Sequence, residues 1–278
     1  MIDKKRFGLN RIIAPTMKLE EFFNFAVSVG IHKVELRNDL ANPDPIDNLK
    51  HEIAAKMARD LGLEIISINA LQKFNLASAR EKATTELKAL LTLCNALRCG
   101  AVVLCPNNDP GDKRTAEQRK TETIDALKAF GGMFTSNGIL GYVEPLGFGI
   151  SSLDSLLVAQ ECIQRSGYTC YRIVHDTFHH HIGPDDQKIL GKDYAVFNTG
   201  LVHISGVESD IPKADYRDEH RVLIGSHDRT DSKGQIQLLE KLGYKGVYSF
   251  EPFSPAVQKL SKDKLADAVR KSIDYILA

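Results

Sequence analysis

The stretch "LGYVEPLGFGISSLDSLLVAQECIQRSGYTCYRIVHD" (residues 140–176) decides the fold. It opens on a short apolar run, "LGYVEP", and closes on another, "YRIVHD". Both are too short for helices and rich in Val, Ile and Tyr. Between them, "SSLDSLLVAQECIQRSG" reads as an amphipathic helix that starts at serines and stops at Gly167. Strand, helix, strand in this order is the signature of a parallel pair joined by a crossover.

The same pattern extends in both directions. Further strand candidates are "RFGLN" (6–10), "KVELR" (33–37), "EIISINA" (64–70), "AVVLCP" (101–106), "LVHIS" (201–205) and "GVYSFEP" (246–252). Helical segments lie between them. "DPIDNLKHEIAAKMARDLG" offers Asp44 as N-cap, Pro45 at the first helical position and Gly62 past the end. "TAEQRKTETIDALKAFGGM" opens with Thr115 and Gln118 at capping-box spacing. Eight strands in 278 residues give a period of about 35. This predicts an α/β fold, a single (β/α)8 TIM barrel in one domain spanning 1–278. A doubly wound open sheet is the alternative, but "GLN" (8–10) after the first strand is no phosphate-binding loop.

Composition narrows the function. Thirty-six acidic and 36 basic residues balance, which gives no footprint for nucleic acid or an anionic membrane. No apolar run reaches the length of a membrane span, and the N-terminal stretch lacks a secretory apolar core. The five cysteines lack C-x-x-C spacing and read as reduced thiols of a cytoplasmic protein.

In such a barrel the active site lies at the C-terminal ends of the strands. The last four strands end in ionisable residues: Glu144, Asp176, His203 and Glu251. Each has a bland reading, as a helix cap, a core histidine or half of a salt bridge. Together, three carboxylates at neighbouring strand ends would repel one another without a cation between them. One divalent metal ion (Mn²⁺, Co²⁺, Mg²⁺ or Zn²⁺) suits three oxygen ligands and one imidazole. Strand ends also offer Arg37, Asn69 and then Gln72 as groups that orient hydroxyls, or as ordinary salt-bridge and hydrogen-bond partners.

These residues resemble the xylose-isomerase-like superfamily of barrels, most strongly in "YVEPLGF", "HDTFHHHIG", "LVHISGV" and "GYKGVYSFEPFS". With "SINALQKFN" (67–75), they look most like the inosose isomerases of inositol catabolism. The resemblance implies Glu144, Asp176, His203 and Glu251 as metal ligands, with acid–base work by Glu144 and Glu251. It places His179 at a substrate oxygen, where it can also carry a proton, and Arg221 beside the substrate. The ketose 3-epimerases carry a second glutamate where this chain has Ile150. The implied activity is α-proton transfer through an enediolate on a keto-polyol or sugar. An inosose dehydratase-type lyase is the rival, told apart by a product 18 units lighter. A non-catalytic sugar-binding barrel is another, told apart by indifference to chelators. An apurinic endonuclease would need more metal ligands and a basic groove. A homo-oligomer is compatible with the sequence, though no subunit-contact surface is legible.

The four histidines of "HDTFHHHIG" then divide. His175 alternates with Asp176 and should face the helix layer. His179 should meet substrate, and His180 and His181 should lie in a rim loop. The polar segment 206–231 is expected to cover the site.

Overall fold

The computed structural model describes residues 2–278. In chain order the elements are β1 (Phe7–Asn10), α1 (Leu19–Ser28), β2 (Lys33–Arg37), α2 (His51–Asp60), β3 (Glu64–Leu71), α3 (Arg80–Leu97) and β4 (Ala101–Leu104). Next come α4 (Ala116–Asn137), β5 (Leu140–Val143), α5 (Leu156–Ser166), β6 (Tyr171–Asp176), α6 (Thr177–Ile182) and β7 (Thr199–Ile204). A small hairpin, β8 (Gly206–Val207) and β9 (Arg221–Val222), precedes α7 (Ser232–Lys241), β10 (Val247–Phe250), α8 (Pro255–Gln258) and α9 (Lys262–Leu277). Eight strands close in the order β1-β10-β7-β6-β5-β4-β3-β2, with every neighbouring pair parallel. This is the (β/α)8 barrel that the alternation predicts.

Strand alternation sets what faces inward. Ala70, Val103, Val174 and Leu201 pack together inside the barrel with Cys105. Their chain neighbours Ile173 and Val202, with Tyr248 and Phe250 of β10, join the larger core between sheet and helices. Two residues beyond Val174 and Leu201, the inward positions become Asp176 and His203, which pair in register. The barrel is thus apolar at mid-height and ionisable near its C-terminal end.

Helix ends follow the side-chain chemistry where it is strong. Thr115 and Gln118 form the capping box at α4. Ser155 caps α5, and Gly167 closes it in the left-handed region at φ 76°. The helix expected from Pro45 instead begins at His51. Asp44 spends its carboxylate on the backbone N–H groups of Ile46 and Asn48. Asp47 and Asn48 then take positive φ, and Asp47 clamps Arg11 through both oxygens. A turn committed to that clamp cannot also continue a helix.

Candidate active site

Glu144 follows β5, and its N–H donates to Leu104 O, which carries the ladder one residue beyond the strand. Glu251 does the same after β10, donating to Ile204 O. Asp176 ends β6 and caps α6: its Oδ1 accepts from the N–H groups of Phe178 and His179. That leaves Oδ2 to face Arg221 and His203. His203 sits on β7, level with Asp176 on one side and Ser249 on the other.

Nδ1 of His203 lies 2.7 Å from Glu144 Oε1, 3.2 Å from Glu251 Oε2 and 3.9 Å from Asp176 Oδ2. One ligand atom from each residue falls within 4.8 Å of all the others. At metal–ligand bonds of about 2.0–2.2 Å, opposed donors stand about 4 Å apart, so the spacing fits one ion. The charges fit too. Glu35, Glu144, Asp176 and Glu251 are buried carboxylates, and Arg37 and Arg221 are buried guanidiniums, none more than 5% exposed. Four negative charges against two positive ones leave a deficit that a divalent cation fills with His203 neutral. The rim carboxylates Asp39 and Asp218 are more exposed and screened by solvent.

The electrostatics show the same demand. Burial works to lower the His203 pKa, yet Glu251, Glu35 and Glu144 drive it well above its ordinary value. Burial works to raise Glu251, yet His203 and Arg221 hold it well below the usual carboxylate range. Asp176 is pushed up, chiefly by burial. Its partner Arg221 donates from Nη2 to Asp176 Oδ2 at 2.5 Å and to Glu251 Oε2 at 2.8 Å. Arg37 donates from Nη1 to Glu251 Oε1 at 2.7 Å and grips Asp39 with its other nitrogens. Phe253 covers both guanidiniums, with its ring centroid 5.2 Å from Arg37 Cζ and 4.7 Å from Arg221 Cζ.

His179 is buried between Phe148 and Phe178. Its Nδ1 accepts the Gly147 N–H at 3.2 Å, which assigns the ring proton to Nε2. Burial, with Arg221 nearby, lowers its pKa to about 4. At neutral pH the ring is therefore an uncharged donor. The close approach needs glycine: a Cβ on Gly147 would stand 2.0 Å from His179 O.

Residues 206–231 form an ordered flap rather than a loose loop. Its β8–β9 hairpin anchors it, and Tyr216 packs with Phe178 and Val207. Arg221 enters the site from this flap. Beside the flap lies a crevice of about 500 Å³, walled by Phe148, Ile150, Ile182 and Tyr216 with Lys213 and Arg217 at its edge. None of the four candidate ligands lines it; Phe148, against His179, connects the two.

The remaining sequence candidates stand in different relations to the cluster. Arg37 and Arg221 spend donors on carboxylates of the cluster, as Asn69 does on Glu35. Gln72 is exposed and shares no hydrogen bond with the cluster. His175 does face the helices, at 2.9 Å from Gln235 Oε1. His180 is buried on α6 against His175, not in a rim loop, because Asp176 caps a helix there. Glu35 and Asn10 are further members of the cluster: Asn10 Nδ2 donates to Glu251 Oε1 at 3.1 Å.

Known proteins are similar to this chain along nearly its whole length. A curated inosose isomerase of Bacillus subtilis (strain 168) is 23% identical over 247 residues, 87% of each chain. The crystal structure of a xylose isomerase domain containing protein from Salmonella typhimurium LT2 superposes with TM-score 0.93, at 35% identity over 100% of this chain and 99% of that one. A crystal structure of the IOLI protein with a binding zinc atom gives TM-score 0.90 at 21% identity, covering 98% of both chains. With the family described as xylose isomerase-like TIM barrel matching residues 23–278, this chain belongs to that family.

Proposed function

We propose that the protein is a divalent-metal-dependent isomerase or epimerase of a keto-polyol or ketose, with an inosose-like substrate as the leading case. The observation that carries this reading is the buried excess of two carboxylates around the four-residue cluster. Relatives named inosose isomerase and the zinc atom of the IOLI crystal structure support it. The whole chain, 1–278, is taken as one domain working in the cytoplasm.

Glu144, Asp176, His203 and Glu251 would hold the cation. When bound, such an ion would supply Lewis acidity toward a carbonyl and its neighbouring hydroxyl, making the C–H beside the carbonyl easier to ionise. Glu144 and Glu251 would share the acid–base work at the two carbons of an enediolate. His179, neutral and with its proton fixed on Nε2, donates to a substrate oxygen and can pass that proton between oxygens. Arg37 and Arg221 hold Glu251 and Asp176 in place, with Arg221 closing the site from the flap. Asn69 supports this constellation, and Gln72, at the rim, meets only the outer part of a substrate. Phe253 and the flap exclude water, which strengthens each of these interactions.

The test is incubation of Mn²⁺-loaded protein with a panel of inososes and ketoses in D₂O. Deuterium at a carbon beside the carbonyl, an unchanged product skeleton and loss of exchange on chelation are expected. A product 18 units lighter replaces isomerisation by dehydration. Substrate binding without exchange, indifferent to chelator, overturns the enzyme reading.

A further inference from the structure

We propose that Glu35 is a positioning residue for the metal centre, holding His203 in the one tautomer and ring orientation that presents Nδ1 to a cation. The proposal rests on the metal-dependent reading above. Glu35 lies in the middle of β2, where Val34 and Leu36 pack outward into the core and Glu35 therefore points inward. It is fully buried. Its Oε2 accepts from Ser67 Oγ at 2.5 Å and Asn69 Nδ2 at 2.8 Å, and lies 3.1 Å from His203 Nε2. Its Oε1 faces Asn10 Nδ2 at 3.4 Å.

The argument is about which ring nitrogen carries a proton. A neutral imidazole has one N–H and one lone pair. Three carboxylates converge on Nδ1, and Glu35 alone among the acidic groups of the cluster faces Nε2. A carboxylate at Nε2 accepts that N–H and leaves the Nδ1 lone pair for the ion. The ring then cannot turn over without losing the bond. Glu35 is too far round the ring to be a ligand itself, and the four-residue ligand group does not include it. Ser67 and Asn69 complete the chain of control: they fix the carboxylate that fixes the imidazole. Outer partners of this kind are worth about 10- to 100-fold in metal affinity.

The test uses the full chain stripped of metal, titrated with Zn²⁺ and with Mn²⁺ in competition with a chromophoric chelator. Glu35→Gln keeps the shape and removes the charge. It should weaken binding of both ions by about 10- to 100-fold. In the Zn²⁺-loaded protein with ¹⁵N-labelled histidine, the wild type should show a His203 ring bound through Nδ1 with a strongly downfield Nε2 proton. That proton should move upfield in Glu35→Gln, a change that a merely structural carboxylate would not cause. His203→Gln assigns the signal. Ser67→Ala, milder for folding, should shift both readouts in the same direction by less. Affinity within about twofold of wild type and unchanged ring signals, in either variant that folds, overturn the proposal and leave the metal reading standing. A wild-type protein that binds neither ion overturns both.

Discussion

Strands β5, β6, β7 and β10 each deliver one residue to a common point: Glu144, Asp176, His203 and Glu251. The opposite wall, β1 to β3, delivers Asn10, Glu35, Arg37, Ser67 and Asn69 to the same height, yet none of these belongs to the ligand group. The two walls are chemically different in kind. One concentrates negative charge beyond what burial tolerates. The other returns part of that charge and fixes orientation: Arg37 on Glu251, Asn10 on Glu251, Glu35 on His203. The contrast teaches that a strained cluster of carboxylates needs a supporting wall as well as an ion, because each buried charge must be partnered whether or not the ion is bound.

The sharpest way to test the division is to remove one member from each wall. Glu144→Gln takes away a proposed ligand and acid–base group together. Deuterium exchange at saturating metal should fall by about 10⁴-fold. Exchange within tenfold of wild type would move the chemistry elsewhere. Arg37→Met, on the supporting wall, leaves Glu251 Oε1 with the neutral Asn10 amide and no cationic partner. Breaking one side of a buried pair costs about 3–5 kcal/mol, so the melting temperature of the metal-free protein should drop steeply. Added Mn²⁺ should restore more stability to this variant than to wild type, since a dication makes up the lost charge. Equal metal-induced shifts in melting temperature for the two proteins would show that the walls are not coupled.

The two walls are unequally legible in the sequence. The ligand wall is readable because each of its residues ends an apolar run, where an ionisable group is out of place. The supporting wall is readable only in part: Arg37 and Asn69 stand out at strand ends, but the partners they meet do not. "KVELR" offers Glu35 and Arg37 as an ordinary alternating strand, and nothing local says that Glu35 reaches across the barrel to β7. That contact, 168 residues apart, exists only once the sheet closes. Arg221 follows from the resemblance, but its bonds to Asp176 and Glu251 depend on a hairpin whose two-residue strands are too short to leave a periodic signal. Helices α1 and α3 have no side-chain cap at Lys18 and Ala79, so their starts carry no mark. Asp47 breaks an expected helix because its carboxylate answers to Arg11, which is distant in sequence.

Gly147→Ala probes the ligand wall beyond its metal residues. The added methyl would meet His179 O at 2.0 Å and Gly183 N at 2.8 Å, both backbone atoms that cannot swing away. Overpacking of this sort costs about 2 kcal/mol. It also separates the Gly147 N–H from His179 Nδ1, releasing the tautomer. Turnover should fall by about 10-fold or more while metal affinity, set by other residues, stays at the wild-type value. If metal affinity falls in parallel with turnover, His179 and the ligand cluster form one unit, and the assignment of His179 to substrate alone is wrong.

The smallest effect lies on the outer face of the same wall. Behind Asp176, His175 and His180 pack with ring centroids 4.8 Å apart, and neither nitrogen of His180 has a partner. Burial lowers His175 to about 4 and, helped by His175, His180 to about 3. Both are therefore neutral when folded and take up protons when unfolded below about pH 6.5. Their contribution to stability is complete above that pH and is lost as the pH falls toward 4 and then 3. Each such group costs about 1 kcal/mol by pH 5.5. His180→Leu keeps an apolar side chain in the same packing and removes one of the two liabilities. Urea midpoints should nearly coincide at pH 7 and separate at pH 5.5 in favour of the variant. Acid protonation of the carboxylates lowers both proteins alike, so the gap between them isolates the imidazole. A gap that stays constant from pH 7 to 5.5 would mean that His180 takes up its proton in the folded protein as readily as in the unfolded chain, and that burial does not hold it neutral.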